Sequence, residues 1–133
     1  MSRIKELLGG KHTKDSGGLI YRWELGCICV NFLNGRRQLI EYRLDGDYYI
    51  FISKVVRPAI VERVGRERIA REILLRNRVI DVVAFRFSNN GSVEGRIEQR
   101  AATLQAEELR FYLGLLAREA DRFEYLLTGR DTH

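Results

Sequence analysis

Residues 20–56 read IYRWELGCICVNFLNGRRQLIEYRLDGDYYIFISKVV, and this stretch decides the fold. Asn34-Gly35 and Asp45-Gly46 interrupt runs of β-branched and aromatic residues. Such pairs favour tight hairpin turns, because those turns need positive φ at their central positions. The stretch therefore predicts a three-stranded antiparallel meander. With two-residue loops, Leu33 faces Arg36 and Leu44 faces Asp47, and counting outward from these pairs sets every other one. One face then gathers Leu25, Cys27, Cys29, Ile40, Tyr42, Leu44, Tyr49 and Phe51, and is the expected core. The opposite face mixes Ile28, Val30, Phe32, Leu39, Tyr48, Ile50 and Ile52 with Arg37, Glu41, Arg43 and Lys54. That face is too apolar for water alone and too charged for a deep interior, so it is expected to be partly covered.

The chain has 133 residues, 45% of them hydrophobic, which suits one domain with an ordinary core. Cys27 and Cys29 are two apart in a strand and share a face, and the register above buries both. A metal site needs two further ligands, while the histidines, His12 and His133, lie near the ends. The thiols therefore read as core residues, and neither a metal nor a cofactor is expected. No N-terminal signal pattern and no apolar run of about 18 residues is present, so a cytoplasmic protein without a membrane span is expected. The net charge is +5. Residues 57–78 hold seven arginines against three glutamates, seven minus three being +4. Glu67 with Arg71 and Glu72 with Arg76 are acid-first i,i+4 pairs, the pattern of a solvated helix face.

In chain order, Ser2 is placed to cap a short helix over residues 3–8, ended by Gly9-Gly10. Residues 11–18 hold almost nothing apolar and read as a flexible linker. Gly9-Gly10-Lys11-His12-Thr13 has neither the spacing nor the preceding strand of a phosphate-binding loop. The expected organisation is a helical stub and linker over 1–18, a single α+β domain over 19–129 and a disordered tail over 130–133. Pro58 suits the first turn of a helix that Gly65 weakens or breaks. Beyond it Ile69, Ala70, Ile73, Leu74 and Asn77 recur at helical spacing, with Leu75 isolated on the opposite side. Residues 79–88 and 92–101 read as a hairpin around Asn89-Asn90-Gly91. A three-residue loop sets Phe87 against Val93 and Arg86 against Glu94, whereas a two-residue loop sets Phe87 against Glu94, so charge selects the longer loop. Thr103 is the expected N-cap of the last helix. Leu109, Leu113, Leu116, Ala120, Phe123 and Leu127 form its apolar stripe, Gly129 its stop, and Phe111, Tyr112, Leu115 and Leu126 an apolar shoulder.

The resulting order, α-β-β-β-α-β-β-α, has Leu74-Leu75-Arg76-Asn77 entering a hairpin whose turn carries Asn90-Gly91. It resembles the YbjN-like family and, at the level of fold, the type III secretion chaperones, over about residues 19–128. The resemblance implies an α+β fold with an antiparallel sheet packed by a long C-terminal helix, and a homodimer without enzymatic activity. It also implies that the Asn77 amide bonds backbone groups where its helix enters the next strand. Secretion chaperones hold extended segments of other proteins; this chain has a shorter first helix and a basic balance.

No nucleophile sits beside a usable histidine, and the acidic pairs Asp45/Asp47 and Glu107/Glu108 suit a turn and a helix start, so no catalytic residue is expected. The leftover apolar residues Val30, Leu39, Ile50 and Ile52 on the sheet, with Phe111, Leu115 and Leu126 on the last helix, point to a homodimer and a protein partner. The alternative is nucleic-acid binding through Arg66, Arg68, Arg71, Arg76 and Arg78, with sheet aromatics such as Phe32 and Tyr48 stacking on bases.

Overall fold

The computed structural model describes residues 3–15 and 17–129; the expected Ser2 cap and the tail over 130–133 lie outside them. The elements are α1 (Arg3–Leu8), β1 (His12–Lys14), β2 (Ile20–Glu24), β3 (Cys27–Asn31), β4 (Arg37–Asp45), β5 (Tyr48–Val56), α2 (Pro58–Val64), α3 (Arg66–Asn77), β6 (Ala84–Phe87), β7 (Val93–Arg100) and α4 (Ala106–Thr128). The strands form one antiparallel sheet in the order β1-β2-β3-β4-β5-β7-β6. The α+β class and the packing of the sheet by the long last helix are as expected. Among the described residues two strands are additional. Leu25-Gly26 turns the chain between β2 and β3, and β1 forms within the stretch read as a linker, pairing His12 with Arg22 and Lys14 with Ile20. Ile4 and Leu8 of α1 are fully buried, so this helix closes one end of the core.

The register corrects the meander in two places. Phe32 N–H donates to the Arg36 carbonyl at 2.8 Å and Gly35 N–H to the Phe32 carbonyl at 3.1 Å, which makes Leu33-Asn34-Gly35 a three-residue loop. Gly35 has φ 87°, the left-handed conformation such a loop requires at its last position. The one-residue slip turns β3 over. Ile28 and Val30 enter the core beside Ile40 and Gln38, while Cys27 and Cys29 join Glu41 and Leu39 on the other face. Cys29 is buried there, but Cys27 is half-buried, contrary to the expectation that the register hides both. At the next turn Asp45 pairs with Tyr48, so Gly46-Asp47 is the loop; that shift of two leaves the alternation of β4 and β5 as expected, but Leu44, near the turn, and Leu25, in the β2–β3 turn, are exposed instead of in the core.

Phe87 pairs with Val93 and Arg86 with Glu94, as charge dictated. The first strand of this hairpin spans only Ala84–Phe87, because the chain still turns after α3 through Val79 and Ile80 N–H bonds to the Arg76 carbonyl. Gly65, at φ 106°, divides α2 from α3. The cap of α4 is Gln105 instead of Thr103, in a reciprocal capping box with Glu108.

The core lies between the sheet and α4. Leu109, Leu113, Leu116, Ala120, Phe123 and Leu127 are all buried, and Phe123 packs on Phe85 with ring centroids 4.4 Å apart. A Cβ on Gly95 of β7 would lie 2.9 Å from Phe85 Cε1 and 3.1 Å from Leu116 Cδ1, so glycine there sets how closely the helix meets the sheet. Within this layer Ser53 Oγ donates to Gln38 Oε1 at 2.9 Å, and Gln38 Nε2 donates to Glu124 Oε1 at 3.3 Å. Arg36 pairs with Asp121, and Arg76 reaches Glu119 at 2.6 Å.

Candidate functional site: the uncovered sheet face

Because α4 packs on β3, β4, β5 and β7, with α1 and α2 against α4 and α3 at β6, the helices leave one sheet face open. Side chains alternate along a strand, so the register assigns each residue to a face. Inward are Tyr21, Ile28, Val30, Ile40, Phe51, Phe85 and Ile97. Outward are Ile20, Cys29, Leu39, Tyr48, Ile50 and Ile52, ringed by charges.

The outward charges are Lys14, Arg22, Arg37, Arg43, Lys54, Arg86, Arg96 and Arg100 against Glu24, Glu41, Asp45, Glu94 and Glu98, eight minus five, or +3. Pairing on this face is uneven. At the β6–β7 side Arg86 bonds Glu94 at 3.1 Å and Arg96 bonds Glu98. At the β1–β4 side Lys14, Arg22 and Arg37 are exposed and make no ion pair among the described residues. A cleft of about 260 Å³ opens between Arg22 and Arg37, lined also by Glu24, Cys27, Cys29 and Leu39. Leu39 is 53% exposed. Burial pushes the pKa of the Cys27 thiol up, and the neighbouring Glu24 and Cys29 push it further. Among the described residues no three His, Cys, Asp or Glu side chains are grouped to hold a metal ion, and no helix is long and apolar enough to cross a membrane.

Of the residues singled out from sequence, Val30 is in the core and Ile50 is buried between Arg43 and Glu98, whose long side chains flank it in register. Ile52 is half-buried, while Leu39 stays accessible. On α4, Leu115 is partly buried against the core, whereas Phe111 and Leu126 are exposed. Arg118 and Arg122, also exposed, lie between those two along the helix, so the shoulder is not one continuous patch.

The arginines of the basic helix are spread over several tasks. Arg76 is drawn into the ion pair with Glu119, and Arg66 lies over the Phe87 ring at 4.0 Å; Arg68, Arg71 and Arg78 remain exposed. Sequence reasoning placed Leu74 on the buried face with Ile69 and Ile73 and left Leu75 isolated, and so missed an exposed apolar stretch. Leu74 is 66% exposed, Leu75 49%, Val79 74% and Val82 38%, all within nine residues at the end of α3. Its signal was Leu75 and Val79, four apart beside Arg78 and away from the Ile69/Ile73 side of the helix.

The fold is that of solved type III secretion chaperones. The chain superposes on a chain in the crystal structure of the ExsC–ExsE complex with a TM-score of 0.58 and 20% identity, covering 94% of this chain and 93% of the other. Against the heterodimeric ExoU–SpcU complex from the type III secretion system of Pseudomonas aeruginosa, the TM-score is 0.53 and the identity 17%, with 79% and 85% covered. No protein-family model and no curated protein matches the sequence.

Proposed function

We propose that the chain is a cytoplasmic, non-enzymatic, homodimeric module of chaperone-like or regulatory type that binds another protein. The observation that carries this reading is a sheet with helices on one face and an open second face, where accessible Leu39 and Ile20 sit among unpaired cations. Two neighbours in fold were solved as complexes with a second protein, which supports a protein partner here. Two free cysteines, one reachable from solvent, suit a reducing compartment. The nucleic-acid alternative draws no such support, since the helix that motivated it spends Arg76 and Arg66 on contacts within the fold.

Copurification tests the reading. A tagged chain isolated from its native cells at low salt is expected to retain proteins that nuclease treatment does not release. Retention of nucleic acid, or loss of every partner on nuclease treatment, overturns it.

A further inference from the structure

The open face differs between its two sides, and the difference specifies a ligand. Near β6 and β7 both outward acids are held in ion pairs, Glu94 with Arg86 and Glu98 with Arg96. Near β2 to β4 Arg22 and Arg37 make no ion pair among the described residues. Arg22, Cys29 and Leu39 lie opposite one another across three adjacent strands, and Arg37 is two residues along β4 from Leu39. Neighbouring strands are about 4.8 Å apart, so Arg22 and Arg37, two strands and one row apart, flank the apolar pair Cys29 and Leu39 in the lining of one cleft. An arginine in water gains little from a lone surface carboxylate, but beside an apolar floor that a ligand dries, a bidentate carboxylate contact is stronger and oriented.

We propose that this corner docks an acidic amphipathic segment of a partner protein, with an apolar side chain in the cleft against Cys29 and Leu39 and carboxylates on Arg22 and Arg37. The inference rests on the protein-binding reading and adds to it the chemistry of the partner. The net charge of the face disfavours a basic segment, and the nearest acids, Glu24 in the cleft lining and Glu41 opposite Cys27, lie in the row next to Arg22, Cys29 and Leu39 on the side away from Arg37. The half-buried Cys27 thiol at the rim is a built-in reporter of occupancy.

The test uses the full chain and a fluorescein-labelled twelve-residue peptide, LEELLEELLEEL, followed by anisotropy. Binding in the micromolar range is expected, with the lysine counterpart LKKLLKKLLKKL at least about tenfold weaker. Arg22→Glu with Arg37→Glu is expected to weaken the acidic peptide at least about tenfold, and Arg68→Glu with Arg71→Glu on α3 to change it by less than about twofold. On the unaltered chain the peptide should also slow modification of Cys27 by a thiol reagent, a readout that holds even if the charge-reversed chain folds poorly.

Equal binding of the two peptides, equal binding by the Arg22/Arg37 variant, or an unprotected Cys27 overturns the proposal. Tighter binding of a single-stranded oligonucleotide, or of vesicles containing phosphatidylserine, in competition with the acidic peptide overturns it too. Cellular partners that copurify with the parent and with the Arg22/Arg37 variant alike leave the protein-binding reading standing and remove only this corner from it.

Discussion

Asn77 shows what one amide does at a sheet edge. Its Nδ2 donates to the Phe85 carbonyl at 2.9 Å, and the Phe85 N–H donates to its Oδ1 at 2.8 Å. Ser88 N–H bonds the Ser92 carbonyl, so by alternation Arg86 bonds β7 while Phe85 turns its backbone groups toward the free edge. Asn77 therefore takes the place of a neighbouring strand and blunts an edge that would otherwise accept one. Replacing it with Ala strands two groups of a buried residue; a loss of about 2 to 4 kcal/mol is expected in urea melts, with Asn77→Asp, which keeps only the acceptor, in between. A melt unchanged by Ala would show the clasp to be incidental. Tyr21 makes a different demand. Its hydroxyl donates to Asp15 Oδ2 at 2.7 Å, with the Arg110 carbonyl at 3.2 Å, and burial, followed by the hydrogen bond and charge of Asp15, pushes its pKa well above the usual phenol value. The folded state thus favours the neutral phenol. Its contribution is whole below about pH 10 and lost as pH climbs beyond it, because the unfolded chain ionises first. Melting temperature should fall more steeply between pH 9 and pH 11 for the parent than for Tyr21→Phe, and parallel curves would contradict the assignment. The family likeness anticipated the role of Asn77; nothing in the spacing of Asp15 and Tyr21 announced theirs, since the bond depends on a β1–β2 turn inside a stretch that reads as a linker.

Two hairpins explain how much of the sheet was legible. Both Asn-Gly loops have three residues, with Gly35 and Gly91 each at φ 87° and each donating to the carbonyl three residues back. In the second hairpin a wrong register places Glu94 against Phe87, so the sequence itself rejects it. In the first, Cys27, Ile28, Cys29 and Val30 are apolar at four successive positions, and alternation cannot say which face is buried. The cleft of Cys29 and Leu39 was hidden for that reason. The Leu25-Gly26 turn did leave a mark: the run from Ile20 to the Asn34 turn is long against the usual five or six residues of a strand. The stripe on α4 was legible because helical spacing admits one face, and all six of its residues are buried. Its energetics are the clearest of any element. Phe123→Ala, which removes the ring stacked on Phe85, and Leu116→Ala, beside Gly95, should each cost about 2 to 5 kcal/mol in denaturant melts; parent-like midpoints would mean that the helix does not seat on the sheet. What spacing could not reveal is how α3 is tied to α4. Arg76 reaches across to Glu119, which also accepts from Arg122 at 3.2 Å, and an ion pair 43 residues apart in sequence has no local signature.

Among the described residues two surfaces stand out at the scale of the whole molecule, and they ask for different partners. The sheet corner around Arg22, Leu39 and Arg37 is charged and concave, suited to an acidic segment. Leu74, Leu75, Val79 and Val82, at and beyond the end of α3, are apolar and exposed, the kind of surface that a twofold-related copy covers with the same residues from the other side. Strand addition at β6 is disfavoured at this corner because Asn77 already occupies Phe85, so contact there would be made by side chains of α3. The Phe111 and Leu126 positions on α4 are weaker candidates, being separated by Arg118 and Arg122. Sedimentation equilibrium at micromolar concentration is therefore expected to give about 31 kDa, twice the 15.5 kDa chain, under a symmetric dimer. Leu75→Glu with Val79→Glu should return the mass to one chain without lowering the melting midpoint of the isolated fold, since neither side chain belongs to the buried core. Phe111→Glu with Leu126→Glu should leave the dimer intact. A dimer lost only in the second pair would move the contact to α4, and a parent that sediments as one chain would leave the α3 corner free for a partner of another kind.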